Sequence, residues 1–473
     1  MRLLPQLVFL FACSLHAAER PNILFAIADD WGWPHASSYG DPVVKTPTFD
    51  RLAKEGALFH HAYVSSPSCT PSRGAILTGQ WHWRLEGAGN LWSVFPDKYD
   101  TYPELLAKVG YATGVSSKGW GPGRTQKKGR QLAGPRYKNF RAFMKSRESS
   151  KPFCYWLGSS DPHRGYAKGS GVKSGMDLSK IKLFAHFPDS NEVRSDVADY
   201  YFEVQRFDSL VGDAIKALEE RGELDNTIVV MTGDHGMPFP RCKSNNYDSG
   251  VRVPLAIRWP SKVKAGTVVN DFVSLVDVAP TFYQAVDLDV PADVSGRSLM
   301  SLLAGKDKIN RGYVLHGKER HVPGQEGRDM GGYPTRAIRT HDFLYLHNFF
   351  PDRWPAGTPN YQKAAFKGAW LSDCDNGPTK TYMVENRDKD AHHRGLYELA
   401  FGKRPATELY DLKKDPDQLV NIAADSAYAE TMKRLKAHLF TELRKTKDPR
   451  VTGNGPDFDK FPYLGGAPKF PGR

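Results

Sequence analysis

Seven residues, "NILFAIA" from Asn22 to Ala28, run almost without polar interruption before the chain reaches Asp29 and Asp30. An apolar run this short, stopped by turn-forming residues, predicts a strand buried on both faces. The plan then repeats. In "TPTFDRLAKEGALF", Thr46 and Pro47 open a helix that Gly56 stops. "TYPELLAKVGYATGVSSKGWGPG" predicts a helix ending at Gly110 and a strand from Tyr111, with Lys118 in the glycine-rich loop that follows. "KPFCYWLGSSDPHRGY" predicts a strand leading to His163. The long helical pattern "VADYYFEVQRFDSLVGDAIKALEERG" precedes a strand, "NTIVVMTGDHG", that delivers Asp234 and His235. Strands alternating with helices predict an α/β fold with a large, mostly parallel sheet flanked by helices. In such sheets ligands bind beyond the carboxyl ends of the strands. Four of these ends carry Asp29 and Asp30, Lys118, His163, and Asp234 with His235.

After about Tyr333 the rhythm changes. "TRAIRTHDFLYLHNF" predicts an antiparallel strand pair, and residues 351–407 read as irregular and polar. "ELYDLKKDPDQLVNIAAD" gives a short strand and a loop, followed by one helix from about Ser426 to Arg444. The expected organisation is a leader at 1–18, a catalytic domain at 19–332 and a smaller C-terminal α+β domain at 333–473.

The leader reading rests on Arg2, the apolar run Leu3–Ala12 and small residues near Ala17 and Ala18, the pattern of a secretory signal peptide. "LFAC" before Cys13 offers a lipoprotein signal as an alternative, against which bulky Phe11 counts. No other run is long enough to span a bilayer, so an exported protein, periplasmic or secreted and without a transmembrane anchor, is expected. Loss of the leader removes Cys13 and leaves Cys69, Cys154, Cys242 and Cys374, whose wide spacing fits no zinc pattern. If Cys69 is reserved for chemistry, at most one disulfide remains. The net charge of +12 is spread along the 473 residues. Such a diffuse field suits an anionic small molecule or polyanion, and no nucleic-acid motif accompanies it.

Three carboxylates, Asp29, Asp30 and Asp234, can converge from two strand ends, and a hard divalent cation would let all three ionise. Lys118, Arg73 and Lys243 add the positive charge that a tetrahedral oxyanion requires.

Cys69-Thr70-Pro71-Ser72-Arg73 resembles the C-x-P-S-R signature of the type I sulfatases, and the continuation "GAILTG" resembles theirs too. The likeness runs from about Pro21 to the C-terminal helix and implies an alkaline-phosphatase-like sulfatase fold. It implies that a formylglycine-generating enzyme converts Cys69 to formylglycine, and that Asp29, Asp30, Asp234, His235 and the modified Cys69 hold one calcium ion. Some sulfatases carry Asn where this chain has His235. By the same resemblance Arg73 holds the formylglycine hydrate, Lys118 and Lys243 bind sulfate oxygens, and His163 stands beside the leaving group. A hydrated aldehyde has two hydroxyls on one carbon: one attacks sulfur, and the other expels sulfate as the aldehyde re-forms.

One departure stands out. Many sulfatases have a histidine two residues after the first lysine, where this chain has Trp120. Either another group, such as His82, serves as base or the pocket is arranged differently; Trp120 receives no catalytic role. Within the family, "SSDPHRGY", "GDHGMPFPRCKSNNYDSG", "SLVDVAPT", "GRSLM" and "YPTRAIRTHDFLYLHN" resemble the heparan N-sulfatase (sulfamidase) branch. In "HGKERHVPGQEG", Glu319, Arg320 and His321 are candidates for contacting a sugar, with a structural salt bridge as the alternative. The implied activity is removal of N- or O-sulfate from a sulfated sugar or glycosaminoglycan. The alternatives are O-sulfate hydrolysis on another polysaccharide, phosphate-ester hydrolysis on the related scaffold, and idle glycan binding without oxidation of Cys69.

Overall fold

The computed structural model describes residues 20–306 and 311–471. The leader and Cys13 lie outside the described residues.

The main sheet has seven strands: β1 (Asn22–Ala28), β2 (Ala57–Phe59), β3 (Ala112–Ser116), β4 (Phe153–Gly158), β5 (Thr227–Gly233), β6 (Leu255–Arg258) and β7 (Thr267–Val269). Their spatial order is β7-β2-β6-β5-β1-β4-β3. β1 pairs in parallel with β4 and β5, and β3 with β4, as the alternation predicts. β6 runs antiparallel to both neighbours, a reversal the pattern does not signal.

β1 shows why this sheet is buried on both faces. Ile23, Phe25 and Ile27 pack with Ile76 and Leu77 of helix Cys69–Thr78 and with Phe282 of helix Val278–Ala285. Leu24, Ala26 and Ala28 face the other way, toward Phe49 and Leu52 of helix Pro47–Glu55 and a row from Val193 to Leu218 on helix Asn191–Glu219. A strand with apolar neighbours on both sides has no use for alternation, hence the continuous run.

A second sheet of four antiparallel strands is ordered β8-β9-β10-β11: Tyr313–Lys318, Thr335–Thr340, Phe343–Asn348 and Thr407–Asp411. The β9–β10 pair is the expected one. β8 adds a strand that precedes Tyr333, because Val314 to Lys318 find their partners across Arg339 to Thr335. Helix Ala429–Lys445 covers this sheet through Leu435, Leu439 and Leu443. The stretch read as irregular between 351 and 407 contains two helices, Pro378–Glu385 and Ala391–Phe401. Their weak apolar periodicity hid them, since they pack on a small local cluster including Trp370, Leu371 and Met383.

Buried ion pairs tie the C-terminal segments to the second sheet. Arg336 on β9 donates to Asp448 at 2.6 Å and to Glu319 at 2.6 Å, and Arg450 reaches Glu319 at 2.7 Å. Lys318 donates to Asp373 and to Ser244, joining β8, the loop before the Pro378–Glu385 helix and the main domain. The four described cysteines, Cys69, Cys154, Cys242 and Cys374, are buried and free, so the allowance for one disulfide is not taken up.

Candidate active site

The four strand ends meet at the carboxyl edge of the sheet, where helix Cys69–Thr78 begins. Cys69 is its first residue and is 2% exposed. Its Sγ lies 3.3 Å from His235 Nε2 and 3.6 Å from Asp29 Oδ1. Lys118 Nζ donates to both oxygens of Asp29, at 2.6 and 2.5 Å. The Lys118 loop can approach because Gly158 ends β4: a Cβ there would fall 1.9 Å from the Lys118 carbonyl oxygen. Lys243 Nζ donates to Asp30 and to Asp375, each at 2.9 Å. His163 presents Nε2 to the same place, 3.9 Å from Asp30 Oδ2, while its Nδ1 donates to the Arg164 carbonyl at 3.1 Å.

Asp30 is held with φ at 73°, a left-handed conformation that costs a non-glycine residue energy and recurs at functional sites. Its N–H donates to Asp234 Oδ1 at 2.9 Å, which fixes the turn. Asp30 Oδ1 is buried with no hydrogen-bond partner in the structure.

The electrostatics are those of a compensated charge cluster. Burial alone would raise the Asp29 carboxyl, but Lys118 and then Arg73, His163 and Lys243 hold it well below the usual carboxylate range. Asp375 is likewise held low, because Lys243 and His163 outweigh its burial. Burial pushes the Cys69 thiol far above its ordinary value despite Lys118. A thiol kept protonated is a poor nucleophile.

With an oxygen in place of the Cys69 sulfur, the donor set of three oxygens and one imidazole nitrogen fits a hard cation. One ligand atom each from Asp29, Asp30, Cys69 and His235 lie within 4.8 Å of one another. His235 Nδ1 donates to the Gly236 carbonyl at 3.0 Å, which turns the Nε2 lone pair inward. The orphaned Asp30 oxygen lies inside this group, 3.3 Å from His235 Nε2. Asp234 stands outside that four-atom group: Oδ2 accepts from Arg73 at 2.8 Å and Oδ1 from Asp30.

Arg73 is fully buried and does not line the cavity above Cys69. Its N–H groups meet Asp234, Asp29 and the carbonyls of Ala28, Lys118 and Gly119. It braces the strand ends, where the resemblance assigns it a contact with the hydrate. Asp234→Ala removes the partner of this buried cation and is expected to destabilise the fold by about 3–5 kcal/mol. Calorimetry checks this; a change no larger than that of a surface Asp→Ala would show that Arg73 is compensated without Asp234.

Above Cys69 opens a cavity of ≈ 680 Å³. Asp29, Lys118, His163, Lys243 and His321 line it, as do Trp120 and Asp375. Glu319 and Arg320 do not. Glu319 is buried against Arg336 and Arg450, and Arg320 donates to the carbonyls of Phe461 and Pro462, so both take the structural role. His321 faces the cavity with Nδ1 hydrogen-bonded to Ser68 Oγ at 2.8 Å. His82 is excluded as a replacement base: it is buried at the far end of the helix, bonded to Ser65 at 2.8 Å and stacked edge-on to Trp83. Burial and the Arg336 charge also keep its pKa well below the ordinary value.

Asp375 is the residue the sequence reading missed. It sits in a loop whose backbone is gathered by Lys380, which donates to the carbonyls of Trp370, Leu371 and Cys374. Burial lowers the Lys380 pKa to about 8. At the cavity rim, Asp161 and Glu203 share Arg206, which approaches them at 3.4 and 2.7 Å.

This chain is similar to several known proteins. Human N-sulphoglucosamine sulphohydrolase is 28% identical over 496 aligned residues, covering 93% of each chain. An ulvan-active sulfatase of Formosa agariphila is 27% identical over 495, covering 94% of this chain and 77% of that one. A solved complex of a protein with its substrate D-glucosamine-2-N,6-O-disulfate shares the fold with a TM-score of 0.63 at 21% identity, covering 92% of this chain and 99% of that one. The sulfatase family model matches residues 21–288, a stretch that holds Cys69, both lysines and every strand end at the site. By that match, this chain belongs to the sulfatase family of hydrolases.

Proposed function

We propose that this chain removes sulfate from a sulfated amino sugar, with glucosamine N-sulfate as the preferred group, using a formylglycine made from Cys69 and one calcium ion. The observation that carries the proposal is the convergence of Asp29, Lys118, His163 and Lys243 on Cys69 at the floor of a sugar-sized cavity. The activity named for the human relative and the disulfated glucosamine bound by the structural neighbour support the choice of sugar.

Cys69 Sγ marks the position of the oxygen that modification would place there. A hydrated aldehyde at that point supplies one hydroxyl for attack on sulfur and a second for release of sulfate. Asp29, Asp30, His235 and the oxygen at position 69 would hold calcium, with Asp234 adjacent; the ion would supply positive charge for the sulfate oxygens. Lys118 and Lys243 add two fixed cations whose carboxylate partners hold them in place before substrate arrives. Charges that need no reorganisation during the reaction are the effective kind. His163 has Nδ1 committed to a carbonyl, so Nε2 is the atom that can carry a proton to the departing nitrogen or oxygen. The acidic side chain of Asp375 faces the same space. Maturation requires a formylglycine-generating enzyme, acting before or during export to the periplasm or beyond.

An O-sulfatase acting on another polysaccharide is the second reading, favoured by the ulvan-active relative. Comparing rates on N-sulfated and 6-O-sulfated glucosamine tests the first. Faster release from the N-sulfate is expected; a clear preference for the 6-O-sulfate rejects the sugar assignment, and no sulfate release from any sulfated sugar rejects the function.

A further inference from the structure

A second cavity of ≈ 940 Å³ adjoins the one above Cys69. The two share Gly119, Trp120 and Arg136 as common wall. Four cations, Arg124, Lys128, Arg130 and Arg136, line the second cavity, and among the described residues no carboxylate does. Arg130 is committed to Glu104 and to neighbouring carbonyls, and Arg136 to the Ser117 carbonyl. Arg124 and Lys128 are exposed and have no ion pair or side-chain hydrogen bond among the described residues. Two uncompensated cations beside a concave wall focus a positive field that attracts anions.

Trp120 forms the partition. Its ring meets Phe95 edge to face at 5.3 Å, and its outer edge rests on Gly123, where a Cβ would fall 2.8 Å from the ring. A glycine at 123 (φ 156°) is what lets the indole sit this close to the backbone. The result is a rigid apolar surface between a site for sulfate chemistry and a basic trough, suited to the C–H face of a pyranose ring.

On the reading above, we infer that the second cavity is a binding subsite for the neighbouring residues of an anionic oligosaccharide. The physiological substrate is then a chain bearing sulfate or carboxylate groups beyond the one removed, and not a free monosaccharide. Trp120 supports the sugar at the junction. Arg124 and Lys128 receive the anionic groups of the next residue, and Arg136 spans the two cavities.

The test uses the full mature protein and its Arg124→Ser/Lys128→Ser double variant, both positions being exposed and outside the sulfate site. Calorimetric titration with a heparin-derived tetrasaccharide and with glucosamine N-sulfate reads binding directly; sulfate release from each reads turnover. The tetrasaccharide is expected to bind the parent protein about tenfold or more tighter than the monosaccharide. The double variant should lose that advantage, and salt should erode it in the parent. Monosaccharide binding and turnover should change less than about twofold, as the sites are separate. If the tetrasaccharide binds no tighter than the monosaccharide, or the double variant binds it equally well, the subsite is absent. Because binding is measured apart from turnover, failure of sulfate release would overturn the proposed activity and leave this inference judged by the titrations alone.

Discussion

Cys69→Ala protein is expected to fold, bind sulfated sugar and lose sulfate release by about 10⁴-fold or more, the scale seen when a nucleophile is removed. The substitution removes one sulfur from a helix start packed against Leu91 and Val322. A cavity that small costs roughly 1 kcal/mol, so loss of activity through unfolding is not expected. The unmodified thiol should be nearly as inactive as alanine, because burial keeps it protonated. Peptide mass spectrometry of active material should therefore find the residue at 69 converted to the aldehyde. Full activity in preparations carrying only cysteine would overturn the mechanism, and so would appreciable turnover by the alanine variant.

The second large effect belongs to His163 and depends on the leaving group. Cleaving an N–S bond expels a poor amine unless nitrogen is protonated, whereas a nitrophenolate leaves unaided. His163→Ala should cut turnover of glucosamine N-sulfate by about 10²–10⁴-fold, the range for loss of general acid catalysis, and that of nitrophenyl sulfate far less. His163 is 37% exposed on the side chain, so its removal leaves no buried void to destabilise the fold. Equal losses on both substrates would mean that His163 binds or positions sulfate and does not deliver the proton.

The strand ends were legible because continuous apolar runs such as Asn22–Ala28 stop abruptly at charged residues, and burial on both faces leaves no other reading. Asp29, Asp30, Lys118, His163 and His235 converge because all follow strands of one sheet at one edge. That logic does not reach Asp375. It lies in a loop without strand periodicity, and its place depends on Lys380 gathering three carbonyls more than a hundred residues beyond the main sheet. Nor could it distinguish Glu319 and Arg320 from His321: three adjacent polar residues look alike until the chain path shows which way each points. Arg73 posed the opposite difficulty. Its motif was plain, yet full burial and five internal contacts make it a brace for Asp29 and Asp234.

The network of Arg336, Glu319, Asp448 and Arg450 makes the C-terminal tail indispensable to the second sheet. A chain terminated after the Ala429–Lys445 helix would keep Cys69, the charged groups around it and both sheets, but would lose Tyr463, Gly466 and Pro468 from the cavity wall. It would also strand the Arg336 guanidinium in an apolar interior with half its counter-charge gone, and Glu319 without Arg450. The second sheet accordingly depends on the tail for the compensation of its buried charge. Loss of the residues after Lys445 would surface first as degradation of a misfolded chain, whatever it also did to the cavity wall.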